Sequence, residues 1–333
     1  MMPFPWQHPT WQRLTAQAEP DGAALLLYGP AGHGKHLLAR AYAGWLLCEA
    51  QPRPSLACGV CAGCRLFAAT QHLDYRELAP EALIETADGG GPRTKPSQEI
   101  RIDDIRGLQA FSGTTAHSGG WKVSVIWPAQ ALNTNAANAL LKTLEEPHHR
   151  QKYILVTSAV NQLIPTIRSR CRLICVPGAS KSQAERWLSE QSISDVDMVL
   201  ALAGGAPLNA VAFADNEDAG LQRGLLDILS APETIDVWRE AQRFESLGVA
   251  TIVRLAQRLL YDVLSFRWQR PLMHFDWLAP RLGWAKRIDA QDTLRLQQRL
   301  ISAQRSAGHP LNPRLVVESL LQDWQDELCV HAH

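Results

Sequence analysis

Four cysteines, Cys48, Cys58, Cys61 and Cys64, stand in a C-x9-C-x2-C-x2-C pattern. Two overlapping C-x-x-C turns bring three thiolates together, and the end of the preceding helix supplies the fourth. Four thiolates complete the tetrahedral shell of Zn²⁺ and leave no position for water, so the spacing points to a structural metal rather than a catalytic one. Reduced thiols that never meet, and a redox pair, are the other readings open to these residues. The total of seven cysteines is odd, and the opening Met1-Met2-Pro3-Phe4-Pro5-Trp6 has neither the basic nor the apolar region of an export signal. A disulfide framework is therefore not expected.

A second stretch, Gly29 to His36, carries the G-x-x-x-x-G-K spacing of a phosphate-binding loop. Gly29 and Gly34 would let backbone N–H groups cradle phosphates, and Lys35 would reach the β/γ-phosphates. The next position calls for a Ser or Thr hydroxyl on Mg²⁺. Here it is His36, and an imidazole cannot replace a hard oxygen ligand. Hydrolysis also needs an acidic residue at the end of a neighbouring strand. The expected strand there, Val123 to Ile126, runs instead into Trp127-Pro128-Ala129-Gln130. ATP binding is therefore expected to be absent or residual, and a working ATPase would require a carboxylate brought beside Trp127 in space. A chance glycine turn at a helix start is the bland alternative.

Further on, the run from Asn138 to Pro147 closes in Glu145-Glu146, which taken alone is a solvated helix end. Arg168, Arg170 and Arg172 alternate between apolar stretches. Phosphate contacts and ordinary surface charge fit them equally well, and an Arg at a subunit edge can complete a neighbour's ATP site by stabilising charge on the transferring γ-phosphate. Cys171, Leu173 and Cys175 would share one buried face of the strand that follows.

These groups need a framework. A leading helix over 1–20 has Trp6, Trp11 and Leu14 as apolar anchors. Strands are expected at 23–28, 74–78, 121–127, 153–157 and 172–176. Helical signal falls between them at 35–48, 61–70, 102–108, 135–145 and 164–170. Strands alternating with helices indicate a parallel α/β sheet covered on both faces. Residues 81–98, with Gly89-Gly90-Gly91-Pro92, have no period and read as a loop. Beyond Pro177 the pattern is helical, at 182–191, 195–203 and 208–213, then at 221–229, 249–268, 293–304 and 315–328. Ile252, Leu255, Ala256, Leu259, Leu260 and Val263 recur on one helical face.

The 33 basic and 33 acidic residues balance, so no overall field favours nucleic acid or a membrane, and any DNA contact must come from a local patch. Only Arg53 and Arg65 are basic near the cysteines, which disfavours a zinc-ribbon module binding DNA on its own. Eleven Trp are scattered rather than interleaved with basic residues, which suits core packing and subunit contacts. No apolar run approaches the roughly 18 residues of a membrane span. A soluble, cytoplasmic protein is expected.

Taken together, the altered loop, the cysteine insert, the Asn138–Pro147 run and Ser169-Arg170-Cys171 resemble the bacterial clamp-loader family of AAA+ proteins. Pro5-Trp6 and the segment Ala203 to Leu208 carry the same likeness, so the motifs span about residues 5–210. The resemblance implies an AAA+ domain over 1–178 with a four-cysteine zinc module at 48–64, a small helical lid over 179–214, and a helical collar over 215–333. It implies a non-hydrolysing stator of the loader that places the sliding clamp on primer–template DNA. Such a subunit would work beside gamma/tau motor subunits and delta, as a component of the DNA polymerase III holoenzyme. Arg170 matches the arginine finger acting in trans, the four cysteines match zinc ligands, and Gly29, Gly34 and Lys35 are vestiges of the phosphate loop. Thr157 falls at a nucleotide-sensing position, and Leu208-Asn209 stand where motor relatives carry a later sensor Arg. An ATP-hydrolysing motor of the same family is the alternative.

Overall fold

Five short strands pair into one parallel sheet in the computed structural model, which describes residues 2–16, 24–84, 96–117, 120–214, 218–306 and 312–329. The strands are β1 (Ala24–Tyr28), β2 (Tyr75–Leu78), β3 (Lys122–Ile126), β4 (Gln151–Thr157) and β5 (Cys171–Cys175), in the order β2-β3-β4-β1-β5. Period-2 alternation dictates the two faces. Leu25, Leu27, Val123, Val125, Ile154 and Val156 bury on one side, against α1 (His8–Thr15) and α2 (Lys35–Leu46). Ala24, Leu26, Ile126, Tyr153 and Leu155 bury on the other, with α4 (Ile102–Ser112), α5 (Thr134–Glu145) and α6 (Pro165–Ser169). A short α3 (Ala62–Ala68) follows the cysteine turns. Covering both faces is what lets nearly continuous hydrophobic strands stand without alternation to polar residues.

This sheet lies in the first of two units, Met1–Gln183 and Ala184–His333. The second unit is helical: α8 (Val196–Leu202), α9 (Pro207–Ala214), α10 (Asp218–Leu229), α11 (Val237–Phe244), α12 (Val249–Arg267), α13 (Ala290–Ser306) and α14 (Pro313–Leu328), with α7 (Lys181–Glu190) leading into it. Its core is one cluster running from Leu202 through Leu225, Phe244, Leu259 and Phe275 to Trp324. Asp262 on α12, wholly buried, accepts backbone N–H groups from Met273 (2.8 Å), His274 (3.2 Å) and Phe275 (2.7 Å), which pins the following turn to the helix. Gly204 ends α8 at φ +72°, where a Cβ would strike the Arg258 guanidinium that caps the carbonyls of Ala201 and Leu202.

Three sequence expectations need amendment. Of the thiols expected to be buried along one face of β5, only Cys171 is buried. Leu173 is 46% exposed and Cys175 is exposed, because β5 is an edge strand. The helix α11, whose Val237, Ala241 and Phe244 recur at i, i+4 and i+7, and the 3-10 turns of Asp276–Arg287 are missing from the elements expected above. The loop expected over 81–98 lies partly outside the described residues, but its ends meet: Ala82 N donates to the Ser97 carbonyl (3.1 Å) and Ser97 N to Glu81 (3.0 Å).

Candidate phosphate loop, cysteine cluster and arginine edge

The loop follows β1 and delivers its last glycine directly to the start of α2, the strand–loop–helix order that phosphate cradles need. Two glycines are obligatory for steric reasons. At Gly29 (φ +156°) a Cβ would sit 2.1 Å from the Val176 carbonyl, and at Gly34 (φ +81°) it would lie 2.6 Å from the Phe4 ring. The N-terminal segment is thus packed onto the loop. Phe4 stacks on Trp6, and Trp6 Nε1 (3.0 Å) and Gln7 Nε2 (2.9 Å) both donate to the His33 carbonyl. The His33 ring accepts from Ala179 N at 3.0 Å. Burial, with the nearby Lys35 charge, holds that imidazole below its ordinary range.

Lys35 does not point outward. It is 5% exposed, and its Nζ donates to the Pro30 carbonyl (2.6 Å) and to Ser158 Oγ (3.0 Å), closing the loop on itself. Burial brings its pKa down to about 8. The neighbouring metal position is likewise occupied from within. His36 stacks on Trp127, with centroids 3.6 Å apart, and its Nε2 meets Glu77 Oε1 at 2.5 Å. Trp127 Nε1 donates to the same oxygen (2.5 Å), Tyr75 OH donates to Oε2 (2.8 Å), and Arg40 Nε lies 3.6 Å from Oε2. Burial pushes the Glu77 carboxyl up. The His36 and Tyr75 hydrogen bonds, with the His36 and Arg40 charges, outweigh that and hold it below its usual range.

Sequence reasoning missed Glu77. A carboxylate does stand beside Trp127, carried by β2 rather than by β3, with Glu77 paired to Val125 across the two strands. Its only sequence signal was an acidic residue inside a strand. Three hydrogen-bonding groups and the Arg40 charge surround it, so it serves an internal cluster in the place where a loop of this type puts a metal. Thr157, at the end of β4, is 1% exposed; its Oγ1 donates to Gln130 Oε1 (2.6 Å) and accepts from Ala159 N (3.0 Å).

The four cysteine sulfurs lie within 4.8 Å of one another, and none is in a disulfide. A tetrahedral zinc with Zn–S bonds of about 2.3 Å needs sulfurs roughly 3.8 Å apart, and Cys58 Sγ to Cys64 Sγ is 3.9 Å. Backbone N–H groups of Cys58, Cys61 and Cys64 each approach the preceding ligand's sulfur at 3.4 Å. The N–H groups of Val60 and Cys61 hold Cys58 down to about 6, whereas burial pushes Cys64 up to about 12. Four sulfurs gathered this closely, at about the spacing of a tetrahedral thiolate shell, could hold a metal ion.

Arg170 closes α6, at the start of the edge strand β5. Its side chain is 32% exposed and pairs with Glu145, the last residue of α5. The loop, the cysteine cluster and Arg170 all fall in the first unit. No single helix among the described residues is long and apolar enough to cross a membrane.

Residues 6–179 match the protein family described as DNA polymerase III, delta subunit. The DNA polymerase III subunit delta-prime of Pseudomonas aeruginosa is 34% identical over 96% of this chain and 97% of its own length. That of Escherichia coli is 35% identical over 65% of this chain and 62% of its own length. Among solved structures, a DNA polymerase III gamma subunit-related protein of Thermotoga maritima superposes with a TM-score of 0.52 over 97% of this chain and 99% of its own, at 16% identity, a likeness of fold alone. On the strength of the family match and of a relative shared along nearly its whole length, the chain belongs to the family of DNA polymerase III delta-prime subunits.

Proposed function

We propose that this chain is a non-hydrolysing subunit of the clamp loader, a stator that lends Arg170 to the ATP site of an adjoining motor subunit. The observation that carries the reading is internal occupancy of the phosphate loop. Lys35 is spent on Pro30 and Ser158, and the metal position is filled by His36 and Glu77. A loop arranged this way has neither a free ammonium for phosphate nor a free carboxylate for Mg²⁺, whereas Arg170 stays at the surface. A guanidinium reaching a neighbour's γ-phosphate would stabilise the charge that develops there during transfer.

In this reading the residues 1–178 form the AAA+ domain, 179–214 a lid and 215–333 a collar that joins the loader subunits. The partners are the gamma/tau motor subunits and delta, and through them the sliding clamp and primer–template DNA in the cytoplasm. Cys48, Cys58, Cys61 and Cys64 would hold one structural Zn²⁺, which locks the turns before α3. The chain acts as a component of the DNA polymerase III holoenzyme. Glu77 beside Trp127 is the one observation in favour of a motor, since it supplies a carboxylate that β3 lacks.

Two measurements test the proposal. Arg170→Ala in a reconstituted loader is expected to lower ATP turnover at the interface it completes by about 10³-fold, and unchanged turnover would refute the finger role. The isolated chain is expected to show no Mg-ATP hydrolysis; clear turnover that disappears in Glu77→Gln would establish the motor instead.

A further inference from the structure

Arg170 does not hang free. Its Nε donates to Glu145 Oε1 at 2.5 Å, and its Nη2 pairs with the same carboxylate. Its Nη1 donates to the Thr166 carbonyl (3.0 Å) and to Ser169 Oγ (3.4 Å). The two side chains are 32% and 47% exposed, and an ion pair so open to water contributes little to stability. Glu145 is also the last residue of α5, where a carboxylate faces the negative end of the helix dipole. Fold stability therefore gives no reason for a carboxylate there.

Geometry does give one. Glu145 takes the Nε/Nη2 edge of the guanidinium and α6 takes Nη1, so a long side chain with many rotamers is held in one. Nη2 carries two hydrogens, and pairing one with Glu145 leaves the other directed away from that carboxylate. An anion approaching from solvent meets an N–H donor that is already oriented.

Resting on the reading of Arg170 as a group that serves a neighbouring subunit, we propose that Glu145 is the positioning residue of that arginine. It braces the guanidinium so that its open end is presented to the neighbour's γ-phosphate without a further loss of side-chain freedom. Glu145 touches neither nucleotide nor metal. It acts only through Arg170.

The test is a double-mutant cycle in the reconstituted loader, with Arg170→Ala, Glu145→Ala, Glu145→Gln and the Arg170→Ala/Glu145→Ala pair. The readouts are kcat and KM for ATP. Glu145→Ala is expected to lower kcat roughly tenfold to a hundredfold, the scale of a misplaced catalytic group, with KM little changed. Glu145→Gln keeps one carbonyl acceptor and is expected to recover part of the loss. The double variant is expected to turn over no more slowly than Arg170→Ala alone, because the brace has nothing left to hold. Thermal unfolding of each isolated variant near the wild-type midpoint shows that the fold is intact. Wild-type turnover in Glu145→Ala while Arg170→Ala is impaired overturns the inference and leaves its parent reading standing, as do losses that multiply in the double variant. A silent Arg170→Ala overturns both.

Discussion

Replacing Lys35 by Met is expected to stabilise the protein, the opposite of what a phosphate-binding lysine would lead one to expect. Lys35 is 5% exposed, and burial lowers its pKa from 10.5 to about 8. Each pKa unit corresponds to about 1.36 kcal/mol, so keeping the ammonium charged in this site costs up to about 3 kcal/mol at pH 7. The substitution removes that cost and forfeits the hydrogen bonds to Pro30 and Ser158, each of which contributes about 0.5–1.5 kcal/mol net. A gain of about 0–2 kcal/mol at pH 7 remains. The pH dependence has a definite sign. Between about pH 8 and 10.5 the folded chain holds fewer protons at this site than the unfolded chain, so wild-type stability climbs with pH through that window. Lys35→Met has no such climb, and its advantage should shrink from pH 7 to pH 10. Urea titrations of the intact chain followed by tryptophan fluorescence at pH 7, 8, 9 and 10 measure the difference directly. A difference that stays constant across the series, or a variant less stable at pH 7, would refute the picture of a lysine whose charge is penalised by burial.

The Glu77 cluster should behave as a structural unit. Glu77→Ala strips the acceptor from Trp127 Nε1, Tyr75 OH and His36 Nε2, at a cost of about 2–4 kcal/mol. Because the folded carboxyl is held below its ordinary 4.5, its contribution is present above that pH and is lost as acid carries the folded group through protonation; a variant with the wild-type urea midpoint at pH 7 would contradict this. At the cysteine cluster, elemental analysis of the purified chain is expected to return about one Zn²⁺, and Cys61→Ala to lose it. Seven freely titrating thiols in native protein never treated with a chelator would show that the four sulfurs meet without a metal.

Much of this molecule can be argued from local chemistry. The C-x9-C-x2-C-x2-C spacing fixes where four sulfurs can go because two C-x-x-C turns and a helix end have little choice of geometry. The glycines at 29 and 34 announce a loop that only glycine can form, and continuous apolar strands separated by helical periods imply a parallel sheet covered on both faces. His36 in place of a hydroxyl is a chemical statement that needs no coordinates. The burial of β5 was misjudged for a reason equally physical: strand periodicity says which residues share a face, but not whether a neighbouring strand or helix covers it.

Long-range contacts supplied the rest. That Glu77 reaches His36 and Trp127 depends on β2 lying beside β3 and on α2 crossing above them, over separations of 41 and 50 residues. Lys35 turning back to Ser158, 123 residues away, and Glu145 bracing Arg170, 25 residues away, are likewise products of packing. Residue type and spacing say which groups are available for chemistry, because those are properties of a few bonds. Which of them face each other, and hence which are free and which are spent, is a property of the folded sheet.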